Sequence, residues 1–210
     1  MNKAIVKELK EKEVFIFDFD GTITDHDTVY YFLNTFYQRY GNINCSNQTF
    51  LDTQYLTGYQ LYERMCAELN IEMSWDKFRD VYQEIVTHYA KTHKQKYFEY
   101  IDELIKIFKD KKFILLSNGM TEHLTNQLKK FGLLDNFYSV MGCASTGVPK
   151  EEIYKDTQKW FGVPQQKCAV FEDAQRYLDL ATQNNITTVG IEHKYNAGLI
   201  KADYIITAQK

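Results

Sequence analysis

The chain has 210 residues, room for one large domain or one domain carrying a smaller insert. Hydrophobic residues make up 44% and aromatic residues 15%, too rich for a disordered chain and ample for a core. The net charge of −3 has the wrong sign for a protein that neutralises nucleic-acid phosphates, so no nucleic-acid partner is expected.

The opening residues, MNKAIVKELKEKEVFIF, lack the apolar stretch and small-residue cleavage site of a secretory leader. No window approaches the ~18 apolar residues of a bilayer crossing, so no membrane partner is expected. Cys45, Cys66, Cys143 and Cys168 stand too far apart for zinc-ligand spacing. They read as small hydrophobes in a reducing compartment. The expectation is a cytoplasmic protein, monomeric or weakly dimeric.

In chain order, residues 14–17 (VFIF) form a short run, apolar on both faces, that stops at Asp18. Residues 25–100 show no such run. They carry helical stripes instead: Val29, Phe32, Leu33 and Phe36, then Tyr62, Met65, Cys66 and Leu69, then Phe78, Val81, Tyr82, Ile85 and Tyr89. About four helices are predicted there. A sheet crossover needs only a dozen or so residues, so this stretch reads as an all-helical insert. Eleven of the 16 tyrosines fall within it. Tyr62, Tyr82 and Tyr89 are expected in its core, with Trp75 as an anchor.

Beyond the insert, apolar runs alternate with helical stripes. Ile101, Leu104, Ile105 and Phe108 mark a helix before the run 113–116 (FILL). Leu124, Leu128 and Phe131 mark the next, with Gly132 as its C-terminal cap. The run 138–141 (YSVM) is followed by one helix over Ile153, Thr157, Trp160 and Phe161, closed by Gly162. The runs 168–171 (CAVF), 186–191 (ITTVGI) and 204–206 (YII) complete the series. Short runs apolar on both faces, separated by helices, predict an α/β fold with a doubly wound, Rossmann-like parallel sheet. The predicted division is a core of residues 1–24 and 101–210, with a helical cap at 25–100. Ligands of open α/β sheets bind beyond the carboxyl ends of the strands, so an insert there is placed to roof a site.

The first strand delivers Asp18-Phe19-Asp20-Gly21-Thr22. Two close carboxylates are costly unless a cation or shared proton offsets them, and magnesium suits a site that also takes phosphate. A backbone-capping turn is the structural alternative for so short a motif. The second run ends in Ser117-Asn118-Gly119, a hydroxyl and amides that can cradle an anion. The run 168–171 ends in a further acidic pair, Glu172-Asp173, and Lys150 precedes the helix at 151–161.

This order resembles the haloacid dehalogenase superfamily of phosphohydrolases, over nearly the whole chain: DFDGT at 18–22, LLSNG at 115–119, a lysine near 150 and FED at 171–173. The insert looks like the helical cap of the phosphoglycolate phosphatase and β-phosphoglucomutase branch. The resemblance implies a two-step phosphoryl transfer on a small phosphorylated metabolite. Asp18 would be the nucleophile and Asp20 the acid and base. Mg2+ would be held by Asp18, Asp20 (through its carbonyl) and Asp173, with Glu172 close by. Thr22, Ser117, Asn118 and Lys150 would bind the phosphoryl group, Thr22 also helping to set the turn after Asp18.

Two positions depart from the branch pattern. Val148 stands where the pattern K-P-x-P-D-I-Y has its lysine, and Lys150 follows two residues later; its long stem offers a way to reach the phosphate from a rearranged loop. Tyr177 stands where E-D-S-x-x-G has its glycine. A degenerate, non-catalytic phosphate-binding protein is therefore one alternative. A phosphosugar mutase is the other, but mutases of this branch carry a histidine where this chain has Tyr30. His26, Tyr30 and Tyr31 are the candidates for substrate specificity. His123 and His193 lie just past strands, with nothing to pair them with a nucleophile.

Overall fold

The structure, a computed structural model, describes residues 3–53, 56 and 58–208. They divide into two compact units. One runs to Asp25 and resumes at Lys96; the other is His26–Gln95.

The chain opens with α1 (Lys3–Lys10), which the sequence reading missed, and β1 (Val14–Phe17). The second unit holds α2 (Asp27–Gly41), α3 (Asn47–Thr53), α4 (Gly58–Leu69) and α5 (Trp75–Thr92). The first unit resumes with α6 (Tyr100–Ile107), β2 (Lys112–Ser117), α7 (Thr121–Phe131) and β3 (Phe137–Gly142). Short helices α8 (Cys143–Thr146), α9 (Lys150–Lys155) and α10 (Thr157–Phe161) lead to β4 (Cys168–Glu172). Then come α11 (Gln175–Gln183), β5 (Thr187–Glu192) and β6 (Tyr204–Thr207).

The strands form one parallel sheet in the order β3-β2-β1-β4-β5-β6. The central strands are buried on both faces, which is why they read as unbroken apolar runs. One face carries Phe15, Phe17, Phe113, Leu115 and Phe171, covered by α1, α6 and α7. Phe17 stacks on Phe171 with ring centroids 4.4 Å apart. The edges differ: Tyr138 of β3 is 71% exposed and Ile205 of β6 44% exposed. α11 packs along β4 and β5.

The single helix expected over residues 151–161 is two. Asp156 leaves helical backbone at φ −141°, and its carboxylate accepts from the Lys159 N–H to cap α10. Ile153, Thr157 and Phe161 stay buried across the break, so the stripe persists although the helix does not.

In the second unit, α2 and α5 pack antiparallel: Tyr31 meets Tyr89 and His93, while Phe36 meets Phe78. Trp75 stacks on Phe78 and meets Tyr59 and Tyr62, as an anchor should. Tyr89 is buried, Tyr62 half-buried and Tyr82 41% exposed. Tyr82 follows Val81 and so sits at the margin of the stripe, its ring edge-on to Phe32. Tyr37 is buried and donates its hydroxyl hydrogen to Glu68.

All four cysteines are free thiols; Cys45 and Cys168 are buried, Cys66 and Cys143 half-buried. Among the described residues, no helix is long and apolar enough to cross a membrane.

Candidate active site

β1 and β4 are parallel neighbours, with Phe17 opposite Phe171. Parallel register brings the residues that follow them, Asp18 and Glu172-Asp173, out at one edge of the sheet. The Asp18 N–H donates to the Phe171 carbonyl at 3.0 Å. The chain then reverses through Gly21, whose φ of 80° favours glycine. The Gly21 N–H donates to the Thr24 carbonyl at 2.7 Å, and those of Ile23 and Thr24 to the Phe19 carbonyl. Tyr100 fastens the turn by donating its hydroxyl hydrogen to the Thr22 carbonyl at 2.5 Å. Thr22 is wholly buried, and its hydroxyl has no hydrogen-bond partner among the described residues. Asp20 is half-buried in the same turn, bridged to Thr24.

Lys150 opens α9 and is 1% exposed. Its Nζ donates to Asp18 Oδ1 at 2.6 Å and to Glu172 Oε1 at 2.5 Å. The other Glu172 oxygen, Oε2, accepts from the Asp173 and Ala174 N–H groups at 2.9 and 3.1 Å. Glu172 is thus held by backbone on one side and holds the lysine on the other. Burial opposes the ammonium form of Lys150, but the two carboxylates outweigh it and keep its pKa well above the ordinary lysine value. Asp18 and Glu172 are both pushed above the usual carboxylate range, chiefly by burial and further by neighbouring acids, against the pull of Lys150.

Asp173 is 2% exposed, and its Oδ2 lies 3.0 Å from His193 Nε2. The Tyr195 N–H donates to His193 Nδ1 at 3.3 Å, which assigns the proton to Nε2 and makes it the donor to Asp173. Asn196 completes the clamp. Its Nδ2 donates to the Asp173 and Ile191 carbonyls, both at 3.0 Å, and its Oδ1 accepts from the His193 N–H at 2.7 Å. Sequence reasoning gave neither residue a role. They lie in the loop after β5 and carry no motif, and only tertiary packing brings them to Asp173.

Ser117 ends β2 and is 4% exposed; its Oγ accepts from the Gly119 N–H at 3.3 Å. Gly142 ends β3 against this turn. A Cβ there would lie 2.4 Å from the Gly119 carbonyl oxygen and the Thr121 nitrogen, so only glycine allows the approach. Asn118 is exposed, and its Nδ2 donates to the Tyr177 hydroxyl at 2.8 Å.

One ligand oxygen from each of Asp18, Glu172 and Asp173 lies within 4.8 Å of the others. Three carboxyl groups crowd together beside the one ammonium of Lys150, and a bound cation would offset their mutual repulsion. An all-oxygen donor set of acidic groups fits a hard divalent cation. His26, Tyr30 and Tyr31 belong to the second unit. His26 is 6% exposed with its ring edge-on to Phe50, and the Tyr30 hydroxyl donates to the Cys45 carbonyl at 3.2 Å.

A family model described as haloacid dehalogenase-like hydrolase matches residues 15–191. Among solved structures, the chain is similar to β-phosphoglucomutase from Clostridium difficile: 22% identity, 94% of this chain and 91% of that one covered, TM-score 0.70. It is similar to a protein described as a predicted phosphoglycolate phosphatase from Haemophilus somnus, at 18% identity, 93% of each chain and TM-score 0.72. It is also similar to CbbY from Rhodobacter sphaeroides, solved in complex with phosphate, at 13% identity, 93% of each chain and TM-score 0.72. No curated protein matches the sequence. The matched model spans most of the length and includes Asp18, β4, Lys150 and the acidic pair: the chain belongs to the haloacid dehalogenase-like hydrolases.

Proposed function

We propose that the protein is a magnesium-dependent phosphatase that hydrolyses a small phosphomonoester through an aspartyl-phosphate. The observation that carries this reading is Lys150, seated by Glu172 and 2.6 Å from Asp18. An attacking carboxylate and a cation able to meet the phosphoryl oxygens thus share one edge of the sheet.

In the first step an Asp18 oxygen forms a bond to phosphorus as the ester P–O bond breaks, and Asp20 gives its proton to the departing alkoxide. In the second, Asp20 takes a proton from water as the water oxygen joins phosphorus. The bond from phosphorus to Asp18 breaks and the carboxylate returns. Ester and water become alcohol and phosphate. Lys150, the Ser117 hydroxyl and the Asn118 backbone N–H stabilise charge on the phosphoryl oxygens, where one fixed donor is worth ~3–4 kcal/mol. Thr22 serves through its carbonyl, which holds the turn to Tyr100.

Magnesium would be held by Asp18, Asp173 and the Asp20 carbonyl, and when bound it neutralises phosphoryl charge. Glu172 is committed to Lys150 and to the backbone. His193 and Asn196 orient Asp173 for the ion. Replacing His193 by alanine is expected to weaken magnesium binding ~10–100-fold, read by calorimetric titration without substrate. Unchanged affinity would remove His193 from that role. Substrate choice we assign to the helical insert as a cap, with His26, Tyr30 and Tyr31 as the side chains to test.

A panel of phosphomonoesters, assayed with magnesium and again with chelator, tests the reading. Free phosphate released only with magnesium is the expected result. Isomerisation of a phosphosugar without net release would replace it with the mutase reading. Bound orthophosphate with no turnover on any ester would replace it with a non-catalytic binding protein.

A further inference from the structure

We propose that Tyr177 is a positioning residue that locks Lys150 and the Ser117-Asn118-Gly119 turn into one preformed anion site, an assignment that rests on the anion-site reading above. Tyr177 lies in the first turn of α11 and is 6% exposed. Its ring centroid is 4.5 Å from Lys150 Nζ, within cation–π range. Its hydroxyl oxygen accepts from Asn118 Nδ2 at 2.8 Å, one residue beyond Ser117. One side chain therefore touches both parts of the phosphoryl-binding apparatus.

A lysine ammonium has three donors and a flexible stem. Two of these donors point to Asp18 and Glu172. The tyrosine ring covers a further side and excludes rotamers that would carry the ammonium away. Arg176 and Glu151, the neighbours of Tyr177 and Lys150, form an ion pair at 3.2 Å, so α9 and α11 are tied twice. The two departures from the family pattern, the shifted lysine and the tyrosine in place of glycine, are one change in space. The ring fills the volume beside the ammonium where the lysine now arrives from α9. Glycine at 177 would leave that side open and Asn118 without its tyrosine partner.

The test compares wild type with Tyr177→Phe and Tyr177→Leu. Three quantities are read for each: the Kd for orthophosphate in the presence of magnesium, kcat and KM for the best phosphomonoester, and the melting temperature. Tyr177→Leu is expected to weaken orthophosphate binding and lower kcat/KM, each by roughly tenfold. Tyr177→Phe keeps the ring and loses only the Asn118 bond. It is expected to restore kcat to within about twofold of wild type while KM rises about threefold. A purely structural tyrosine would lower the melting temperature of both variants and leave Kd, kcat and KM untouched below it, and that result overturns the proposal. If wild type binds orthophosphate but hydrolyses no ester, the phosphatase reading falls. Tyr177 is then judged on orthophosphate Kd alone, and an unchanged Kd in Tyr177→Leu overturns its assignment.

Discussion

Asp18→Asn lowers phosphate release by at least ~10⁴-fold, because removing the nucleophile of a covalent mechanism removes the path itself. Asparagine matches aspartate in size and leaves the Lys150–Glu172 contact in place. The Asp18 N–H bond to the Phe171 carbonyl is a backbone bond and survives. Stability is therefore expected to change little, and the melting curve separates loss of chemistry from loss of fold. Acid-quenched wild type should carry a phosphoryl group on Asp18, and the variant none. A variant retaining a tenth of wild-type turnover would place the nucleophile elsewhere.

Lys150→Ala combines a catalytic with a structural loss. Turnover is expected to fall by at least ~10²-fold, the cost of one preorganised donor on the phosphoryl oxygens. Removing the ammonium also leaves Asp18 and Glu172 buried without their counter-charge, and breaking a buried ion pair from one side costs about 3–5 kcal/mol. Denaturation without magnesium measures the second effect; saturating phosphomonoester with magnesium measures the first. Undiminished turnover would assign the phosphoryl contact to another group.

The fold was legible because its strands are short and mostly covered on both faces, and because helical stripes break that pattern between β1 and β2. What failed were features too short or too local for a period to reveal. α1 is eight residues long; it buries Ile5 and Leu9 with Val6 packed beside them, a helical stripe too short to stand out. The break at Asp156 lies inside an intact stripe and is a choice of the backbone, since Asp156 caps a new helix instead of continuing the old one. Of the candidate site, the strand-end acids were readable because parallel register must bring strand ends to one edge. Lys150 was readable as a residue but not as a geometry: spacing alone does not tell whether a stem two residues displaced reaches Asp18. His193 and Asn196 show the same limit in stronger form. Only the loop after β5 brings them to Asp173, and a single histidine past a strand has many structural uses.

The residues that lead into and out of the helical insert are paired with each other. Thr24 bridges Tyr97, and the Phe98 N–H donates to the Ile23 carbonyl at 2.9 Å. Within the insert, α2 and α5 already bring their far ends together at Tyr31 and His93. This bears on the order of assembly. For β1 to pair with β2 in a disordered chain, a loop on the order of 100 residues must close. An insert assembled first would shorten that loop to about a quarter, two halvings of length, and remove about 1 kcal/mol of closure entropy. The helices that make the sheet's first pairing distant in sequence are thus also what can make it nearly local in the folding chain.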